Sequence, residues 1–338
     1  MYKIDEVRHV HLEISSLCNA SCPWCPRNFW GYPFNGGYPE LNFTLENAQY
    51  IFTPEFLKQL TGITINGNFG DAVMNPETPA IVEYFRSNNK NLNIEISTNG
   101  GARDSEFWVR LAKAQARVLF ALDGLADTHH LYRQNTLYDV VIKNAQTFIK
   151  AGGNAIWKMI EFDHNRHQIE SCKELSKLMG FKNFMLINQG RDVAPVFNKN
   201  GNLTHVIGNY TGDREFTVLF HKKLNDEILL EDIVDSRTPL PIKCKVKQTR
   251  SMYIAANGDI SPCCFTGFYP HTYGNGQYHQ AANAQLKPIM RKNNALHYGL
   301  AECLEWFTAI EKTWDIDQFE DGRLVICNDV CGTSKKIK

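Results

Sequence analysis

The sequence has no charge bias: 36 lysines and arginines face 36 aspartates and glutamates over 338 residues. No global field therefore draws it to a polyanion, no Lys/Arg cluster supplies a local one, and nucleic acid is a disfavoured partner. It also has no apolar run long enough to cross a bilayer, and its first residues, MYKIDEVRHV, lack the charged and apolar regions of a signal peptide. The expectations are a cytoplasmic chain and no membrane association. Low-complexity tracts are missing too. Cysteine, by contrast, is plentiful, at ten. Without an export signal these thiols belong to a reducing compartment, which favours metal or redox chemistry over a disulfide framework. The length suits one large domain plus a smaller one.

Six short apolar runs read as strands: VHLEI (Val10 to Ile14), GITIN (Gly62 to Asn66), LNIEIST (Leu92 to Thr98), RVLFALDG (Arg117 to Gly124), NAIWKMIEF (Asn154 to Phe162) and NFMLIN (Asn183 to Asn188). Amphipathic segments lie between them. TPEFLKQL starts at an N-cap Thr53 with proline at N1, and DSEFWVRLAKAQ at an N-cap Asp104. TLYDVVIKNAQTFIKAGG ends at Gly152 and HQIESCKELSKLMG at Gly180. Strands alternating with helices imply right-handed crossovers and a parallel sheet of six βα units, fewer than the eight that close a full barrel. The fold class expected is α/β: a partial (β/α)6 barrel over 1–195 with a small C-terminal α+β domain over 241–338.

Between them, 196–240 reads as a connecting segment, since residues 190–240 hold no clean period and many turn residues. SMYIAANGDISPCC then offers two short runs around Asn257-Gly258, a strong hairpin signal. AANAQLKPIMRKNNAL and LAECLEWFTAIEKTW read as helices, and the charged tail after Cys331 as a solvated end.

The first strand runs directly into SSLCNASCPWCPRN, which spaces Cys18, Cys22 and Cys25 as C-x3-C-x2-C, with Trp24 before the third cysteine. That is the C-terminal end of the strand, where parallel βα folds put their chemistry. Three thiolates on a four-iron cube leave one iron without a protein ligand. The motif closely resembles that of the radical S-adenosylmethionine (SAM) superfamily, in which the amino and carboxylate groups of SAM chelate the open iron of a [4Fe-4S] cluster.

The resemblance extends along the barrel. NGNFGDAVMNPE resembles the family segment that holds the SAM ammonium, here with Gly70 and Asp71, and with Ala72 where a proline is usual. STNGG supplies Ser97 and Asn99, whose counterparts bind ribose or carboxylate. LDGLADTHHLYRQN matches an arginine that pairs with the SAM carboxylate to Arg133, with Asp123 either orienting its neighbours or acting as a cap. Arg191, just past the sixth strand, sits where the family often presents a polar group to SAM. His129 and His130 read as surface residues at a helix start.

Further on, Cys244-x13-Gly258-x4-Cys263 fits the pattern of the SPASM and twitch extensions, and Cys327-x3-Cys331 follows. The resemblance implies one auxiliary [4Fe-4S] cluster on Cys244, Cys263, Cys327 and Cys331, with a four-thiolate zinc site as the alternative. Cys172 and Cys303 read as buried apolar thiols. Cys264 occupies a position where related maturases can carry a catalytic acid. It is a candidate ligand in place of Cys263, a candidate hydrogen-atom donor to substrate, or a packed thiol.

What the family does is cleave SAM reductively, giving methionine and a 5′-deoxyadenosyl radical that takes hydrogen from an unactivated carbon. The resemblance implies an external one-electron donor such as flavodoxin or ferredoxin. It also implies a peptide or protein substrate, oxidised, cross-linked or epimerised, with small-molecule dehydrogenation or rearrangement as the alternative and a non-catalytic redox protein as a third reading. The barrel begins within ten residues of Met1, so no N-terminal peptide-recognition domain is expected. The aromatic loop NFWGYPFNGGYPE (Asn28 to Glu40) could cover the cavity or serve only packing.

Overall fold

The six expected strands form, and each lies parallel to the next. The computed structural model describes residues 1–25, 27–33, 38–188, 194–208, 237–268 and 284–333. The strands are β1 His9–Leu12, β2 Gly62–Ile65, β3 Asn93–Thr98, β4 Arg117–Ala121, β5 Asn154–Ile160 and β6 Asn183–Ile187. They pair in sequence order. The intervening helices are α1 Leu45–Ile51, α2 Pro54–Gln59, α3 Thr78–Asn88, α4 Ser105–Lys113, α5 His129–Tyr132, α6 Tyr138–Lys150 and α7 Ile169–Met179. Thr53 Oγ1 accepts Phe56 N at 3.3 Å and Asp104 Oδ1 accepts Phe107 N at 3.0 Å, so both expected N-caps act as caps. Gly180 ends α7 with φ +88°.

Alternation along each strand divides the sheet. Val10 and Leu12, Ile63 and Ile65, and Val118 and Phe120 are buried in the main core. On β1 to β3 the alternate residues are mostly polar, while β4 carries Leu119 and Ala121 there. His9 and His11 hydrogen bond to Thr64 Oγ1 and the Asn66 carbonyl at 3.0 and 2.7 Å, and Glu95 pairs with Arg117. Gly62 is opposite His9 in register, and a Cβ there would lie 2.7 Å from the His9 ring. The lumen of the barrel is thus polar along β1 to β3 and apolar at Leu119 and Ala121 of β4.

After β6 the chain departs from expectation. At the start of the expected connecting segment, where no period was legible, β7 Ala194–Phe197 and β8 Leu203–Ile207 form an antiparallel hairpin. All four residues of β7 are buried, so no polar alternation marks the strand in the sequence. The hairpin packs with Ala20, Cys22 and Tyr132, and Phe197 N donates to Trp30 O at 2.8 Å. It therefore covers the cysteine loop.

In the C-terminal third, α8 Lys245–Thr249 leads into β9 Ser251–Ile254 and β10 Ile260–Ser261, the hairpin expected at Asn257-Gly258, where Gly258 has φ +87°. β9 also pairs in parallel with β1, extending the barrel sheet on that flank. The sheet order is β10-β9-β1-β2-β3-β4-β5-β6, and among the described residues its two edges do not pair with each other. Helices α9 Cys264–Phe268, α10 Ala295–Cys303, α11 Glu305–Lys312 and α12 Val325–Cys331 complete the module. The helix expected over AANAQLKPIMRKNNAL is broken: residues 284–286 are helical, 287–294 are not, and α10 takes up its last two residues. Pro288 falls within it, and Asn294 starts α10 by accepting Leu296 N at 3.0 Å. Residues 281–283 lie outside the described residues. Among those described, no helix is long and apolar enough to cross a membrane.

The molecule is an α/β protein built on a partial (β/α)6 barrel.

Candidate active site

Past the end of β1 the chain folds into tight turns. Cys25 N donates to Cys22 O at 3.0 Å and Asn28 N to Cys25 O at 2.9 Å. Cys18, Cys22 and Cys25, all free thiols, line one cavity of about 220 Å³. Trp24, Gly70, Asp71, Ser97, Asn99 and Arg133 line the same cavity. Arg191 lies outside the described residues.

The donor set fits an iron–sulfur cluster. Burial pushes Cys25 up to about 11, with Cys22 adding to the effect. Three crowded, buried thiolates call for positive charge among them, which a cluster core supplies. N–H groups already point at sulfur: Ala20 N lies 3.4 Å and Asn99 Nδ2 3.8 Å from Cys18 Sγ, and Arg133 Nη1 lies 3.7 Å from Cys22 Sγ. Such donors tune the potential of a cluster. Among the described residues no group of three or more His, Cys, Asp or Glu converges as a single metal ion requires. A four-iron cube makes a different demand, one iron for each thiolate.

Asp71 is engaged by the protein itself. Its Oδ1 accepts Thr98 Oγ1 at 2.6 Å and Val73 N at 3.1 Å, and its Oδ2 accepts Asn99 N at 2.7 Å. It ties the loop after β2 to the end of β3. Gly70 has no room for a side chain, because a Cβ would overlap Ser15 O and come within 2.7 Å of Leu17 O. Asn99 is fixed at both ends, donating to Asn19 Oδ1 at 2.9 Å and accepting Gly101 N at 2.8 Å.

Asp123 orients rather than caps. It is wholly buried, accepts Ile160 N at 2.6 Å through Oδ1, and receives Arg133 Nε at 2.6 Å on Oδ2. His129, expected at the surface, is instead fully buried. Its Nδ1 accepts Asp123 N at 3.3 Å and its Nε2 lies 3.1 Å from Thr136 Oγ1, while burial lowers it to about 4. It is a neutral structural histidine, and His130 is the exposed one. The sequence reading passed over Lys158, which lines the cavity with Nζ 3.5 Å from Ser97 Oγ. Its signal was a single cation within the apolar run of β5.

The C-terminal cysteines meet at a second cavity of about 140 Å³, lined by Cys244, Cys263, Cys264, Cys327 and Cys331. Cys327 and Cys331 stand one turn apart on α12, hence on one face. Cys331 and Cys244 are in hydrogen-bond contact, which holds Cys331 below the usual thiol range. Thr266 Oγ1 lies 3.5 Å from Cys263 Sγ. Four thiols without disulfides suit the ligand set of a closed cluster. Cys264 faces two ways, since it also lines a lumen cavity of about 230 Å³ with His9, His11 and Tyr253. Cys172 and Cys303 are buried, as expected. In the aromatic loop, Phe29, Trp30 and Phe197 stack together and Tyr38 stacks on Phe69 at 4.3 Å, so these rings pack. Residues 34–37 lie outside the described residues.

No protein-family model matches the chain, and no curated protein does. Solved structures do. Streptococcus suis SuiB superposes with a TM-score of 0.51 at 15% identity, over 77% of this chain and 60% of SuiB, so the chain spans less than two thirds of that protein. SuiB bound to S-adenosylmethionine gives 0.50 over the same shares. The anSMEcpe structure with bound S-adenosylmethionine and Cp18Cys peptide gives 0.50 at 18% identity, over 96% of this chain and 91% of that one. These neighbours are radical SAM enzymes. The chain has their fold, the radical SAM partial barrel.

Proposed function

We propose that the protein is a radical SAM enzyme that abstracts hydrogen from a carbon of a peptide or protein residue. The observation that carries this reading is the single cavity shared by Cys18, Cys22 and Cys25 and by Gly70, Asp71, Asn99 and Arg133. Cys18, Cys22 and Cys25 would hold the cluster, which when bound would supply the one electron needed for reductive cleavage of SAM.

The chain's own residues do the rest. Asp71 and Gly70 set the loop whose backbone faces the SAM ammonium. Arg133, aimed by Asp123, meets the SAM carboxylate, and Ser97 and Asn99 meet hydroxyl or carboxylate oxygens. The β7–β8 hairpin keeps water from the cysteine loop. Cys244, Cys263, Cys327 and Cys331 hold an auxiliary cluster in the module at 241–338, joined by 196–240 to the barrel at 1–195. Cys264, on the lumen side, is a candidate catalytic residue, and flavodoxin or ferredoxin is the class of electron donor. A peptide substrate draws support from the peptide bound in anSMEcpe.

The test is anaerobic reconstitution followed by incubation with deuterated candidate peptides. Roughly eight irons per chain, SAM-dependent 5′-deoxyadenosine and transfer of label into it are expected. Intact clusters without SAM cleavage would reject the reading.

A further inference from the structure

We propose that Glu13 and Tyr253 are positioning residues that set the loop 67–70, and with it the SAM face of the cavity, from the C-terminal hairpin. The inference rests on the radical SAM reading of that cavity.

Glu13 follows β1 and is wholly buried. Its Oε1 accepts Phe69 N at 2.7 Å and Gly70 N at 2.9 Å, and its Oε2 accepts the hydroxyl of Tyr253 on β9. The loop has no slack, since a Cβ on Gly67 would overlap the carbonyl of Gly70. On one side Gly67 and Gly70 line the cavity of the N-terminal cysteines. On the other, Asn68 Nδ2 donates to Cys264 O at 2.9 Å, and the Phe69 ring lies 5.1 Å from that of Phe268. One carboxyl group therefore joins three parts: the end of β1, the SAM-side loop, and the first strand of the hairpin that leads to Cys263 and Cys264.

Ionised, the carboxylate accepts from all its donors at once. Protonated on Oε2, it donates instead to the Tyr253 oxygen, which can accept, and Oε1 holds Phe69 N and Gly70 N only as a neutral acceptor, so the charge-assisted part of the loop bonds is lost. Burial raises Glu13 to about 7, with the Tyr253 hydroxyl and the loop N–H groups opposing. Among the described residues, Tyr253, Tyr38 and Cys264 are titratable groups that feel its charge. Loop order, and SAM affinity with it, is thus expected to fall as pH drops through about 7.

The test uses reconstituted holoenzyme. SAM affinity and amide exchange over 66–71 are measured from about pH 6 to about pH 8.5 for wild type, Glu13→Gln and Tyr253→Phe, with iron content and circular dichroism confirming the fold. SAM titrates in this range itself, so the Glu13→Gln curve is the reference. Wild type should lose about tenfold more affinity than Glu13→Gln toward the acid end. Tyr253→Phe removes a bond that favours the ionised carboxyl and should move the midpoint upward. Both variants should exchange faster at Phe69 and Gly70. Profiles that superimpose on wild type in both measurements overturn the proposal. A wild type that holds its iron and binds no SAM overturns the SAM reading instead, and the exchange rates then decide the role of Glu13 alone.

Discussion

Arg133 is tied to Asp123 by a 2.6 Å bond from Nε to Oδ2, and the carboxylate at its root is closed to solvent. The pair fixes the guanidinium plane before any ligand arrives. Asp123→Ala removes its orienter and leaves Ile160 N without an acceptor, and breaking a buried pair costs about 3–5 kcal/mol. Urea unfolding should register this loss. Asp123→Asn keeps an acceptor, so it should retain more stability while weakening SAM about tenfold by calorimetry.

Gly70→Ala should act through the loop backbone. The added methyl meets the carbonyls of Ser15 and Leu17, which belong to the segment entering the cysteine motif and cannot turn aside as a flexible side chain would. The expected cost is about 1–3 kcal/mol with loss of SAM binding. Gly152 is the control. Its φ is positive, +88°, as that of Gly70 is not, but nothing lies within 4 Å of its Cβ position. Gly152→Ala should cost about 1 kcal/mol in thermal unfolding and leave SAM binding unchanged.

The barrel was legible because its strands are apolar runs bounded by turn signals and its helices carry explicit caps at Thr53, Asp104 and Gly180. What escaped was set by tertiary context. β7 is buried at every residue and shows no alternation. Helix α3 starts at Thr78 with Glu77 as an N-cap whose side chain makes no capping bond and instead accepts Leu45 N. The cavity residues found by motif share local spacing, whereas Lys158 is a single charged residue in an apolar strand and Glu13 one just past the end of β1. Their significance appears only once Ser97, Gly70 and Tyr253 are brought beside them. His129 was misplaced for the same reason, since its partners Asp123 and Thr136 become neighbours only when α5 folds back.

His129 makes stability pH-dependent in a definite direction. Burial depresses it from 6.5 to about 4 in the folded chain. Between those values the unfolded chain binds more protons, so stability rises with pH. The contribution is complete above the unfolded value and is lost as pH falls toward about 4, amounting to about 3 kcal/mol. His129→Asn should flatten this acid limb in urea unfolding. Part of the slope will persist through His164, which burial lowers in the same direction.

Iron counting separates the two cysteine sets, but only with double substitutions. A set that keeps three thiols can still hold a cluster with an open iron, as the N-terminal loop is proposed to do, so losing one auxiliary cysteine is not diagnostic. Cys327 and Cys331 occupy one face of α12, and Cys327→Ala with Cys331→Ala strips that face while leaving Cys244 and Cys263. This variant should retain about four irons and bind SAM. Cys18→Ala with Cys22→Ala should also retain about four irons but bind none. Cys264→Ala should keep the wild-type iron content and alter only the product formed, and a loss of iron there would make Cys264 a ligand. The cysteine sets line separate cavities, so their iron losses should add in the fourfold variant. A C-terminal pair that costs no iron would remove the auxiliary cluster from the proposal and leave the N-terminal cavity as the protein's one cluster site.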